Sequence, residues 1–101
     1  MTKVNWEKII SEFSKLNVLV IGDAMIDSYI WGEIERNSPE APIPIVKASK
    51  YEKKLGGAAN VALNLKSLGA NPKLISIVGK DDNGFFKLMK SFGLSIDGIL
   101  Q

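Results

Sequence analysis

Cysteine and histidine are both absent from the 101 residues. Disulfides, thiolate or imidazole metal sites, thiol nucleophiles and histidine-centred triads are thereby excluded, and any chemistry must come from carboxylates, amides, lysines or the backbone. Long apolar runs are missing too. Stretches such as Val18 to Ile21 are far too short to cross a bilayer, and the amino terminus lacks the basic-then-apolar plan of a signal peptide. A cytoplasmic protein without a membrane partner is the default expectation. Charge of one sign is also scarce: 13 Lys and Arg against 11 Asp and Glu leave a net charge of +2, with lysines dispersed among acids. The electrostatic footprint of a nucleic-acid binder is therefore missing. What the chain does have is a hydrophobic content of 46%, ample for a packed core, in a length that fits one domain.

Along the chain, Trp6, Ile9, Ile10, Phe13 and Leu16 recur at steps of three and four behind Asn5, which predicts an amphipathic helix with an asparagine N-cap. The β-branched run Val18-Leu19-Val20-Ile21, closed by Gly22-Asp23, predicts a parallel strand buried on both faces. From Gly22 to Trp31 the pattern alternates, so an extended chain puts Asp23, Met25, Asp27, Tyr29 and Trp31 on one side. Ser38 to Pro44 carries its prolines too closely for a helix interior and reads as a loop or strand edge. Tyr29 to Arg36 and Ile45 to Tyr51 can then pair as a small β-flap, a lid over about residues 29–51 inserted between sheet elements.

Gly56-Gly57 opens a helix over Ala58 to Leu68, apolar on almost every face and so expected to be buried, with Gly69 as its left-handed cap. Pro72 marks the exit. Leu74 to Val78 reads as a second sheet strand, and Asp81-Asp82 can cap a helix whose Phe85, Leu88, Met89 and Phe92 share one face. Ile96 to Leu100 begins another strand. This order is α/β, and so few core strands make a poor sheet, so the whole of 1–101 reads as the N-terminal portion of a larger domain rather than a complete small one.

Two segments can hold a ligand. The carboxylates of Asp23 and Asp27 can each accept hydrogen bonds from adjacent sugar hydroxyls; on a strand they stand roughly 13 Å apart, too far for one shared metal. The competing reading is that Asp23 caps a turn and Asp27 is solvated. In Gly56-Gly57-Ala58-Ala59-Asn60, paired glycines allow close backbone approach to a ligand at a helix start, and Asn60 adds a donor and an acceptor; the same glycines can equally serve only the turn. Neither a GxGxxG fingerprint nor a GxxxxGK[ST] phosphate loop occurs. Asn64 reads as a buried hydrogen-bonding residue and Asp81-Asp82 as helix capping rather than a metal site, so no metal ligands are assigned.

Val18 to Asp27, then Arg36-Asn37-Ser38-Pro39-Glu40-Ala41-Pro42-Ile43-Pro44-Ile45-Val46, then Gly56 to Asn64, and finally Val78 to Gly84 resemble, in the same order, the start of D-glycero-β-D-manno-heptose 7-phosphate kinases within the PfkB/ribokinase family. The Gly-Gly-Ala-Ala-Asn segment resembles the family's first signature, and Ser-Pro-Glu-Ala-Pro narrows the likeness to the heptose kinase branch. The resemblance implies a ribokinase-like α/β three-layer sandwich, here partial, with an inserted β-flap lid. It implies ATP- and Mg2+-dependent phosphorylation of a heptose 7-phosphate at its anomeric oxygen, feeding ADP-heptose and lipopolysaccharide synthesis. It places Asp27, Gly56, Gly57 and Asn60 in the sugar site, with Asp23 beside them. Arg36, by its place on the flap and its bidentate chemistry alone, is a candidate for the substrate phosphate, the competing reading being a solvated lid arginine.

Departures from the family pattern at Ser28, Glu33 and Leu55 bear on the exact sugar. The family's GAGD segment, which carries the catalytic base and anion hole, does not occur here, so no catalytic residue is assigned. By itself the chain is expected to hold no cofactor and to be inactive. The alternatives are a PfkB kinase for another sugar and a non-catalytic sugar-binding or interaction module. Tyr29, Ile30 and Trp31 on the flap also suggest a homodimer contact, the competing reading being that they pack onto their own core.

Overall fold

The computed structural model describes residues 2–101, and of residues 35 and 36 the backbone alone. Helix α1 (Trp6–Ser11) is capped by Asn5, whose Oδ1 accepts from the Lys8 N–H at 3.1 Å, and tightens into a 3-10 turn over Glu12–Lys15. The predicted apolar stripe is there, but it lies on the surface: Trp6, Ile9, Ile10 and Leu16 are exposed. Strand β1 (Asn17–Ile21) follows, then the long strands β2 (Ala24–Asn37) and β3 (Pro44–Gly57), helix α2 (Ala58–Ser67), strand β4 (Asn71–Ile77), helix α3 (Phe85–Ser91) and the short strand β5 (Ile99–Leu100).

The sheet is parallel, ordered β1-β4-β5, with Val20 opposite Leu74 and Ile21 opposite Ile75. Parallel neighbours need a crossover, and α2 and α3 supply the two helical returns. Leu55, Ala59, Ala62, Leu74, Phe85, Met89 and Leu94 form the core, with Val20, Ile26 and Ile99 packed against it. Expected burial differs in two places. β1 is covered on one face only: Val18 and Val20 are partly buried while Leu19 is 56% and Ile21 71% exposed. Ile75 and Ile77 continue that open face along β4. In α2, Ala59 and Ala62 are buried, whereas Val61 and the C-cap residue Leu68 are exposed, because the helix meets the sheet along one side.

The other strands form the predicted flap, and it is longer than residues 29–51. β2 and β3 pair antiparallel from Ala24 opposite Gly57 out to Asn37 opposite Pro44, with register shifts between Trp31 and Gly32 and between Ile34 and Arg36. Such shifts add twist to a long two-stranded ribbon. The proline-rich segment closes the tip as a loop, where the Ser38 N–H donates to the Ile43 carbonyl at 2.6 Å. At the other end the flap is fastened to the sheet. The Gly22 N–H donates to the Ile75 carbonyl at 3.3 Å, and the Ala24 N–H donates to the Ser76 Oγ at 3.0 Å.

Ser76 is the buried polar side chain of this junction, 6% exposed, and without it a part-buried N–H loses its partner. Ser76→Ala is therefore expected to lower stability by about 1–2 kcal/mol, read as a shift of the urea midpoint with unchanged slope. An unchanged midpoint would show that the hydroxyl does not fasten the flap.

Candidate functional site

Antiparallel partners share a face, so the register that sets Asp27 opposite Lys54 and Tyr29 opposite Glu52 gathers these four on one side of the flap stem. The chain then turns directly into α2, whose first turns carry Asn60 and Leu63 towards the same side. Asp27, Tyr29, Glu52, Lys53, Lys54, Leu55, Asn60, Leu63 and Phe92 line a cleft of about 390 Å³. Polar groups crowd the strand side, while Leu63 and Phe92 supply an apolar wall. Asp27 is partly buried, and neither its carboxylate nor the Asn60 amide bonds to another side chain or backbone group among the described residues. A carboxylate and an amide left with open hydrogen-bonding capacity at one cleft suit a polyhydroxylated ligand.

The glycines serve the site by making room. A Cβ on Gly56 would stand 2.6 Å from Asp27 Oδ2, so only glycine lets that carboxylate lie across the opposite strand. Gly57 adopts φ +58, and a Cβ there would collide with the Asp23 carbonyl. The next N–H, that of Ala58, donates to that same carbonyl at 2.7 Å, so it is engaged inside the fold. Asp23 thus enters the junction through its backbone, and its side chain is not among those lining the cleft. Of the six residues singled out in the sequence, Asp27 and Asn60 meet in the cleft, and Gly56, Gly57 and Asp23 build the turn behind it. The backbone of Arg36 pairs with Ile45 far out on the flap, and its side chain lies outside the described residues.

Tyr29, Glu52, Lys53, Lys54, Leu63 and Phe92 were missed as cleft residues. Once the hairpin register is known, the parity of positions 52 and 54 relative to Asp27 and Tyr29 locates two of them. Phe92, which the sequence puts on one helix face with Phe85, Leu88 and Met89, is exposed. Lys54 Nζ lies 5.2 Å from the centre of the Tyr29 ring and 3.8 Å from Glu52, which also approaches Lys50 at 3.9 Å. Lys53 reaches away instead. Its Nζ donates to the Asn83 carbonyl at 3.2 Å and to the Asn83 Oδ1 at 2.8 Å, tying the stem to the loop before α3. Asn64 is exposed rather than buried, since it lies on the open side of α2. Asp82 caps α3 with both oxygens, accepting from the Gly84 N–H at 3.2 Å and the Phe86 N–H at 3.0 Å. Among the described residues no group of three or more Asp or Glu side chains converges as a metal cage.

Residues 15–101 match the model of the pfkB family of carbohydrate kinases. The chain belongs to this family. Its relatives include proteins named Bifunctional protein HldE: that of Geobacter sulfurreducens is 44% identical over the whole chain, and that of Pelobacter propionicus 47% identical over 92% of it. That of Shigella boydii is 52% identical over 72%. The chain spans 15–21% of the length of these relatives. Among solved structures, the nucleoside kinase of Methanocaldococcus jannaschii, described as an archaeal member of the ribokinase family, superposes with a TM-score of 0.58 at 26% identity, over 83% of this chain and 28% of that one. The fold of this pfkB-family chain is accordingly ribokinase-like α/β with an inserted flap.

Gly57→Ala is expected to cost at least ~2 kcal/mol, because positive φ and a backbone collision act together. Gly69→Ala should cost about 1 kcal/mol, since Gly69 has φ +99 but open space around it. Thermal melts of the two variants check the order, and equal losses would mean that the junction relaxes around a Cβ.

Proposed function

We propose that this chain is the sugar-binding part of an ATP-dependent kinase that phosphorylates a heptose 7-phosphate at its anomeric oxygen, a step towards ADP-heptose and lipopolysaccharide. The observation that carries the proposal is the convergence of Asp27 and Asn60, both with open hydrogen-bonding capacity, on one cleft beneath a β-flap. Membership of a carbohydrate kinase family supports the reaction class, and the Ser38 to Pro44 motif supports the heptose branch. Asp27 accepts from neighbouring hydroxyls and fixes the ring's orientation. Asn60 can donate to one oxygen and accept from a hydroxyl, and Leu63 and Phe92 pack against the ring's C–H face. Orientation of this kind converts binding into rate by holding the acceptor oxygen where transfer occurs.

The family uses ATP with Mg2+, which supplies the phosphoryl group and neutralises its charge. The described residues do not provide a cage for the metal. We assign the nucleotide site, the catalytic base and the anion hole to the part of the enzyme outside this chain, and place the enzyme in the cytoplasm, where ATP is available.

In the full-length protein, Asp27→Ala and Asn60→Ala should each reduce kcat/KM for the sugar by roughly tenfold to a hundredfold, the cost of losing hydrogen bonds to a bound substrate. Wild-type kinetics with both variants would remove Asp27 and Asn60 from the site. Comparing heptose 7-phosphate with ribose and fructose phosphates tests the choice of sugar, and saturable binding without turnover would favour a sugar-binding module.

The flap also supports a homodimer. Ile30 and Tyr51 are cross-strand partners, as are Ile34 and Val46, and all four are exposed, Tyr51 by 74%. Sedimentation should show a concentration-dependent dimer that Ile30→Lys weakens, and a monomer at high concentration would remove this contact.

A further inference from the structure

Lys54 stands out among the cleft residues because neither the glycine-rich turn nor the sugar-hydroxyl contacts need it. Its cross-strand partner is Asp27, yet its ammonium does not pair with that carboxylate. Instead Nζ leans along the flap, 5.2 Å from the Tyr29 ring centre and 3.8 Å from Glu52. Tyr29 and Glu52 are each two residues farther out on their strands, about 7 Å of backbone along the stem, so the cation leans outward from the Asp27 position. The cleft is therefore polarised along its length. An acceptor carboxylate stands near the α2 end and a cation nearer the flap, held over an aromatic face that does not neutralise it.

Glu52 is a loose counter-ion. It is shared with Lys50 at 3.9 Å, and the Lys54 side chain keeps 55% exposure. Exposed pairs of this kind are worth little and exchange readily for a stronger anion. Lys53, by contrast, is held on Asn83 by two hydrogen bonds. Lys54 is thus the cleft cation able to meet a dianion without breaking a structural contact.

We propose that Lys54 is the specificity residue that selects a phosphorylated sugar, its ammonium receiving the phosphate of the substrate at the flap end of the cleft while Asp27 and Asn60 hold the hydroxyls. Glu52 occupies Lys54 when the cleft is empty and gives way to the phosphate. This inference rests on the sugar-phosphate reading above. A lysine is a mobile point charge, so it selects for the charge of the phosphate rather than for one bidentate geometry.

The test uses the full-length protein and compares kcat/KM for heptose 7-phosphate with that for unphosphorylated heptose. Lys54→Met should lower this ratio by roughly tenfold to a hundredfold, mainly through KM for the phosphorylated sugar, whereas Lys54→Arg should keep most of it. Glu52→Gln should move the ratio the other way, lowering KM for the phosphorylated sugar. A Lys54→Met enzyme with the wild-type ratio would overturn the assignment while leaving the sugar-phosphate reading intact. A wild-type enzyme that does not distinguish the two sugars would instead overturn that reading, and this inference with it.

Discussion

The return of the flap into the sheet is the contact on which the rest of the structure depends. Two strands of fourteen residues leave the core at Asp23 and come back at Gly57, and they must re-enter within one residue's width of where they left. Closure is made by the Ala58 N–H on the Asp23 carbonyl, by the Ala24 N–H on the Ser76 hydroxyl, and by a Gly57 conformation that L-residues rarely adopt. A side chain at Gly57 would force the strands apart. The flap would then lose its register, and α2 would lose its starting point over the core.

That closure also makes the cleft. The residue before the strained glycine is Gly56, and its missing Cβ is the space in which the Asp27 carboxylate lies. Four residues later Asn60 follows on the first turn of α2. Fold and site therefore share one short peptide, in which the backbone does the structural work and the neighbouring side chains remain open to a ligand. The ties that hold the stem in place, Ser76 inside and Lys53 on Asn83 outside, lie on either side of this peptide and leave the Asp27 face uncovered.

Local signals were readable wherever a residue's role follows from its own conformation. Asn5 caps α1, Gly69 ends α2 with φ +99, and Asp82 holds the first N–H groups of α3, all as the sequence chemistry predicts. The alternation from Gly22 to Trp31 foretold an extended strand. Its partner's exact register did not follow, because two register shifts separate the tip from the stem and no local rule locates them. For the same reason Lys54 and Glu52 could not be assigned to the Asp27 face. Burial was over-read: Leu19, Ile21, Val61 and Leu68 are as apolar as the core residues, but apolarity does not say which face has a neighbour.

By itself, the sequence determined the element order, the flap, the caps and the residues with ligand chemistry, since each depends on periodicity or on the special geometry of glycine, proline, asparagine and aspartate. Tertiary structure alone decided that Asp27 and Asn60 share a cleft while Asp23 contributes only its carbonyl, and that of the two adjacent lysines lining the cleft the ammonium of Lys53 is held on Asn83. The physical reason is that convergence in space is a property of strand register and of the crossover into α2. Both are set by contacts between residues far apart in the chain.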